Sequence, residues 1–163
     1  MSKIPNSSAI SDWKNQIITD LHNDNHFLDA LGTTETERED LVYSRIFPFY
    51  YIPNTITDVS TYILIEIDIK SKSPTARNLY AYPVITLTVL CHQNDMKLNL
   101  KGISATKADY LAELLDTKYN GARGFGIGKL ELRSNIAGSL NEKYRYRQLR
   151  FYGVDLNDSL CED

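Results

Sequence analysis

The stretch TYILIEIDIK at 61–70 alternates without a break. Ile63, Ile65, Ile67 and Ile69 fall on one side, and Tyr62, Glu66 and Asp68 on the other. A period of two with β-branched residues on one side is a strand with one buried and one wet face. Strands of that kind belong to antiparallel sheets. The run YPVITLTVLCH repeats the pattern, with Ile85, Leu87, Val89 and Cys91 on one face. QND then makes a short turn into MKLNLKG, and these two strands are predicted to form a hairpin. The polar SKSPTARN ahead of them is longer than a tight hairpin needs.

Helices are predicted on either side of these strands. In SSAISDWKNQIITDLHN, residues Ile10, Trp13, Ile17 and Leu21 recur at helical spacing, with Ser7 or Ser8 as cap. HFLDALG adds a helical turn closed by Gly32, and TTETERED reads as polar and solvated. In SATKADYLAELLDTKYNG, Thr106 and Asp109 form a capping box with the shorter acid, and Leu111, Leu114 and Leu115 an apolar stripe. LVYSRIFPFYYIPNT is apolar and aromatic, but Pro48 and Pro53 rule out a regular helix or central strand. It is expected to lie over the core as an extended arm, or to offer Phe47, Phe49, Tyr50 and Tyr51 as a surface patch. KLELRS and EKYRYRQLRFYGVDL are the last two strands. The expected fold is α+β: a mainly antiparallel β-sheet with helices packed on one face, in the order α-β-β-β-α-β-β. The 163 residues read as one domain, with an N-terminal helix and arm over 1–57 and a sheet/helix core over 58–157.

The net charge of −3 gives no general pull toward nucleic acid. Cys91 sits in a strand and Cys161 in an acidic tail, so the thiols form neither a disulfide framework nor a metal pair. No apolar run is long enough to span a bilayer, and the start of the chain lacks an apolar signal core. Synthesis in the cytoplasm and no membrane contact are the expectations. Eleven tyrosines suit sheets and interfaces, because each offers a broad ring with a polar tip.

Three patterns are candidates for chemistry. KYNGARGFGIGKLE carries four glycines, but a phosphate loop needs G-x-x-x-x-G-K-[ST] between a strand and a following helix. Here Arg123 stands where the first glycine should be and Leu130 where the hydroxyl should be, and a helix precedes while a strand follows. The glycines are expected to cap the helix and give a flexible entry to the strand, or to let another backbone come close. His22 and His26 are four apart, yet Asn23 occupies the place of a catalytic glutamate and no third ligand is evident. Lys143, Arg145, Arg147 and Arg150 are interleaved with Tyr144, Tyr146 and Tyr152. That pattern fits a solvated face paired with Glu66, Asp68 or Glu131, a subunit interface, or a single-strand nucleic-acid binder. No Ser-His-Asp spacing or nucleophile elbow is found. No catalytic residue, cofactor or metal is expected.

The order of YILIEIDI, YPVITLTVLCHQNDMKLNL, GISATKADYLAELLD, GFGIGKLELRS and EKYRYRQLRFYGVDLN resembles the tail-terminator and tail-to-head joining proteins of tailed bacteriophages, over about residues 58–157. The preceding FPFYYIPNTI resembles aromatic-proline segments of phage neck proteins, so a head-closure or connector component is the rival reading. A small nucleotide-binding enzyme is a third. The resemblance implies a structural virion protein without catalysis or cofactor. It implies a ring of self-copies, commonly a hexamer, capping the tail tube protein and facing the head connector, with DNA passing through the lumen unrecognised. A ring needs heterologous contacts that close by rotation. The loops at 71–79 and 120–128 and the arm at 47–52 are therefore expected to touch neighbours. The interface residues so implied are Phe49, Tyr50, Tyr51, Arg77, Arg123, Phe125, Arg145, Arg147 and Tyr152.

Overall fold

A computed structural model describes residues 6–70 and 79–157. Three helices come first: α1 (Ser8–His22), α2 (Asn25–Leu31) and the single turn α3 (Glu35–Arg38). Strands β1 (Ile46–Phe47), β2 (Thr61–Lys70) and β3 (Tyr80–His92) follow, then α4 (Lys107–Tyr119), β4 (Glu131–Ser139), β5 (Tyr144–Tyr152) and β6 (Asp155–Leu156). The sheet runs β1-β2-β3-β5-β4, and β6 continues beside the start of β3. Among the described strands only β1 is parallel to its neighbour; the β2–β3, β3–β5 and β4–β5 ladders are antiparallel. The fold is therefore α+β with a mainly antiparallel sheet and helices on one face.

The period-two pattern builds the core. Ile63, Ile65 and Ile67 from β2, Ile85, Leu87, Val89 and Cys91 from β3, and Leu149 and Phe151 from β5 lie in one buried cluster. Trp13, Ile17 and Leu21 of α1, Phe27, Leu28 and Leu31 of α2, and Leu111, Leu115 and Tyr119 of α4 close over them. Each large apolar side chain removed from water contributes about 1.5–3 kcal/mol. Gly32 ends α2 at φ 79, and its N–H donates to the Leu28 and Asp29 carbonyls. Pro83 has no N–H for the ladder, and opposite it β5 breaks from β6 at Gly153, whose own N–H donates to the Pro83 carbonyl.

The hairpin expected between YPVITLTVLCH and MKLNLKG does not form. β2 flanks β3 on one side and β5 on the other along nearly its whole length, so no free edge remains for a third strand. A 3-10 turn at Gln93–Asp95 instead carries the chain off the sheet. Met96, Leu98 and Leu100 then pack on the core, with one isolated bridge from Lys97 to Thr106. Nor is TTETERED wholly irregular. The Thr34 side chain accepts from the Glu37 N–H and the Glu37 carboxylate accepts from the Thr34 N–H, a full capping box for α3. α1 begins without a side-chain cap bond from Ser7.

Candidate interaction surface

Side chains on the sheet face away from the helices line up in rows. Tyr62, Leu90, Tyr146 and Gly138 make one, Leu64, Thr88, Gln148 and Ile136 the next, and Glu66, Thr86, Arg150 and Ser134 a third. No described helix covers this face. At one end the aromatic arm folds over it, so that Phe47, Tyr62, Leu64, Leu90 and Tyr144 form a second, smaller core. Phe47 stacks flat on Tyr51 with centroids 4.0 Å apart, and Tyr62 meets Tyr51 at 5.4 Å. The Tyr144 hydroxyl donates to the Asp58 carbonyl. Burial, seconded by Asp58, pushes the Tyr62 phenol above its ordinary pKa.

Arg45 anchors the arm. It is only 6 % exposed; its Nε donates to the Thr61 carbonyl, and its terminal nitrogens to the Leu31 carbonyl and the Glu37 carboxylate, all at 2.8–2.9 Å. A cation suits that place, because the carbonyl end of α2 points at it. Beyond the anchor the arm turns outward. Tyr43 takes a left-handed backbone at φ 65, uncommon for a bulky residue, and its ring lies beside Phe49 at 6.0 Å. Tyr43 (66 % exposed), Phe49 and Tyr50, then Ile52, Ile56 (87 %) and Val59, present apolar surface to solvent along this arm.

The sequence-predicted residues divide. Phe49 and Tyr50 are exposed, as a contact patch requires, whereas Tyr51 is half-buried in the stack on Phe47. Phe125 is 2 % exposed and packs edge-on against Tyr119, so the core takes it and no partner can reach its ring. The glycine loop around it is held rather than soft. Gly121 N–H donates to Leu130 O, Leu130 N–H to Ala122 O, and Ile127 N–H to Val154 O, at 2.8–2.9 Å. That arrangement is a close backbone approach, not a phosphate cradle. Arg123 is exposed in the same loop, as a contact residue requires, and Arg77 lies outside the described residues, as does most of the 71–79 loop.

The Arg/Tyr strand is not one cluster. Arg145 and Arg147 pair with Cys91 and Val89 and so lie on the helix-bearing face, while Tyr144, Tyr146, Arg150 and Tyr152 lie on the other. Arg147 Nε donates to the Asp109 carboxylate at 2.6 Å, at the first turn of α4. Asp109 N–H donates to Thr106 Oγ1, so its carboxylate answers Arg147 instead of completing the capping box. Arg147 is also the main reason the Asp109 carboxyl titrates below its ordinary 3.8. A depressed folded pKa adds stability above the unfolded value, and that stability is lost as pH falls through the folded one. Arg147→Gln is therefore expected to return the Asp109 titration toward 3.8, as read by side-chain carboxyl NMR. An unchanged Asp109 titration would refute this pairing in solution.

His22 closes α1 and His26 opens α2, so the two do not share a helix face; His26 Nε2 lies 2.7 Å from the Tyr110 hydroxyl. Burial pushes the Cys91 thiol up to about 11, which keeps it protonated. An open cavity of about 580 Å³ lies between Thr55–Val59 and Asn141–Lys143. His92 lines it, with Nδ1 already accepting the Asn94 N–H at 3.1 Å. No helix among the described residues is long and apolar enough to cross a membrane.

These features define a chain with one sheet face packed under its own helices and the other partly covered by the arm, which itself exposes apolar side chains. The chain belongs to the YomW family, whose sequence profile matches residues 15–152. That family is phage-derived, of the SPbeta-like prophage type. No curated protein matches the chain.

Proposed function

We propose that this protein is a structural component of a tailed phage particle. Copies form a ring, a hexamer by the resemblance to tail terminators, that ends the tail tube and joins it to the head connector. It acts by contact and not by catalysis, binds no cofactor, and resides in the virion neck after synthesis in the host cytoplasm. DNA passes its lumen without specific recognition. The observation that carries this reading is the arm. Its exposed aromatic and aliphatic side chains sit on one flank of the sheet, pinned at Arg45, and exposed apolar surface of that kind marks a contact site. Membership of a phage-derived family agrees with it.

The test is a phage carrying Phe49→Ser and Tyr50→Ser. Both rings are exposed, so the fold should stand while the contact is lost. Aromatic anchors at interfaces are worth about 2 kcal/mol or more each, so head–tail joining should fall by about tenfold or more. Separate heads and tails in micrographs, with normal unfolding of the purified variant, are the expected result. Normal particles would overturn the arm's role. Gold labelling that finds the protein nowhere in particles would overturn the whole reading.

A further inference from the structure

β4 is an edge strand, and the backbone bonds fix which of its groups face outward. Leu140 N–H donates to the Tyr144 carbonyl. In the ladder that pairs Ser139 with Arg145 and Gly138 with Tyr146, the even residues therefore bond inward to β5. Asn135, Ala137 and Ser139 turn their N–H and C=O groups outward, where no other described strand takes them. The segment from Ser134 to Leu140 reads SNIAGSL, with no charge and no proline. Those are the devices that usually keep an edge from pairing. Ile136 is 49 % exposed at its middle. A Cβ at Gly138 would run into the hydroxyl end of the Tyr146 ring, so that ring reaches over Gly138 to the edge.

We infer that β4 pairs with β4 of a second copy, antiparallel, about a twofold axis through Ala137. This register sets Ala137 opposite the partner's Ala137 and Asn135 opposite the partner's Ser139. All the outward groups then meet in phase, giving about six inter-chain backbone hydrogen bonds, two for each bonded pair. Opposed residues share a face, so each Ile136 lies opposite the partner's Gly138 and against the partner's Tyr146 ring. The charges are compatible as well. The Glu131–Arg133 end of one strand meets the Glu142–Lys143 turn of the other, and each end carries one charge of each sign.

The opposite edge of the sheet is a poorer partner. β1 covers β2 at Ile63 and Leu64, and Ile65 is fully buried, so only the stretch from Glu66 to Lys70 is free. Face-matched registers there set Ile136 against Asp68 or Glu66. A twofold contact is self-complementary and saturates at two copies. It is therefore distinct from the head-to-tail contact that closes a ring, and it describes the free protein before assembly.

Light scattering on the full chain is expected to give twice the 18.6 kDa chain mass. Ala137→Cys, in a Cys161→Ser background, should oxidise to a disulfide-linked dimer. Ile136→Lys should shift the chain to monomer, raising the dissociation constant at least about tenfold, with circular dichroism and thermal unfolding unchanged because Ile136 is exposed in the single chain. A single-chain mass for the unmodified protein overturns the proposal. So does a dimer indifferent to Ile136→Lys, or a cross-linked ladder from Asp68→Cys with Ile136→Cys, which would place β4 on the partner's β2. None of these outcomes bears on the location of the protein in particles, so the virion reading stands or falls separately.

Discussion

Lys107→Met lowers the free energy of unfolding by about 3 kcal/mol, the low end of what breaking a buried ion pair costs. Lys107 is the first residue of α4 and only 4 % exposed. Its Nζ lies 2.7 Å from one oxygen of Asp95, whose other oxygen accepts the Thr61 hydroxyl, also at 2.7 Å. Without the ammonium, Asp95 keeps a charge with one neutral donor in a poorly solvated place. Some of that carboxylate still reaches water, at 27 % side-chain exposure, which is why the low end is expected. Adding Asp95→Asn to Lys107→Met should recover part of the loss, because the orphaned charge goes with it. Urea midpoints at constant slope give both numbers. If the double variant is as unstable as the sum of the two singles, the pair is not coupled and the account fails.

Much of the fold was legible because the residues that meet the helices recur with a period of two or of three to four. β2, β3 and β5 each send alternate residues to that cluster, although β3 is buried on both faces along most of its length, and Phe27–Leu31, Leu111 and Leu115 mark helices. The opposite faces of Arg145 and Tyr146 were also legible, since adjacent strand residues must point apart. Grouping them by composition hid that. Local pattern says nothing about which strand takes which neighbour. MKLNL alternates well, but β3 had no edge left for it. Lys107 and Arg45 were hidden for a related reason: a buried cation is indistinguishable in sequence from a solvated one until its partners are known. For Arg45 those partners are backbone carbonyls from residues 31 and 61, contributed by two other elements. The capping box at Thr34 and Glu37 was written in T-x-x-E, and only the brevity of α3 concealed it. For the contact surface, aromatic content pointed to the arm, while the exposed edge of β4 became visible only from strand order.

The four glycines of the 118–131 stretch sort by what each backbone does, and substitution should reveal that order. At Gly126 the backbone has φ 99, and a Cβ would collide with the Val154 carbonyl oxygen and press on Asp155. That oxygen accepts the Ile127 N–H at 2.9 Å, a bond that ties the loop to the β5–β6 break. Gly126→Ala must move one of the two backbones and strain its own. Backbone strain of this kind costs about 1–3 kcal/mol, and a weakened loop bond adds about 1 kcal/mol. A loss of about 3 kcal/mol is expected, with looser packing of Phe125, which the same loop delivers into the core. Gly128 has no positive φ and nothing within 4 Å of a built Cβ. Gly128→Ala should therefore be neutral or stabilising by about 0.4–1 kcal/mol, because alanine narrows the unfolded chain. A loop selected to cradle phosphate through soft backbone would leave both substitutions mild and change ligand affinity instead. Calorimetric unfolding of the two variants, beside titration with inorganic phosphate, separates these cases: equal stabilities for Gly126→Ala and Gly128→Ala would mean that the approach of Val154 does not constrain the loop.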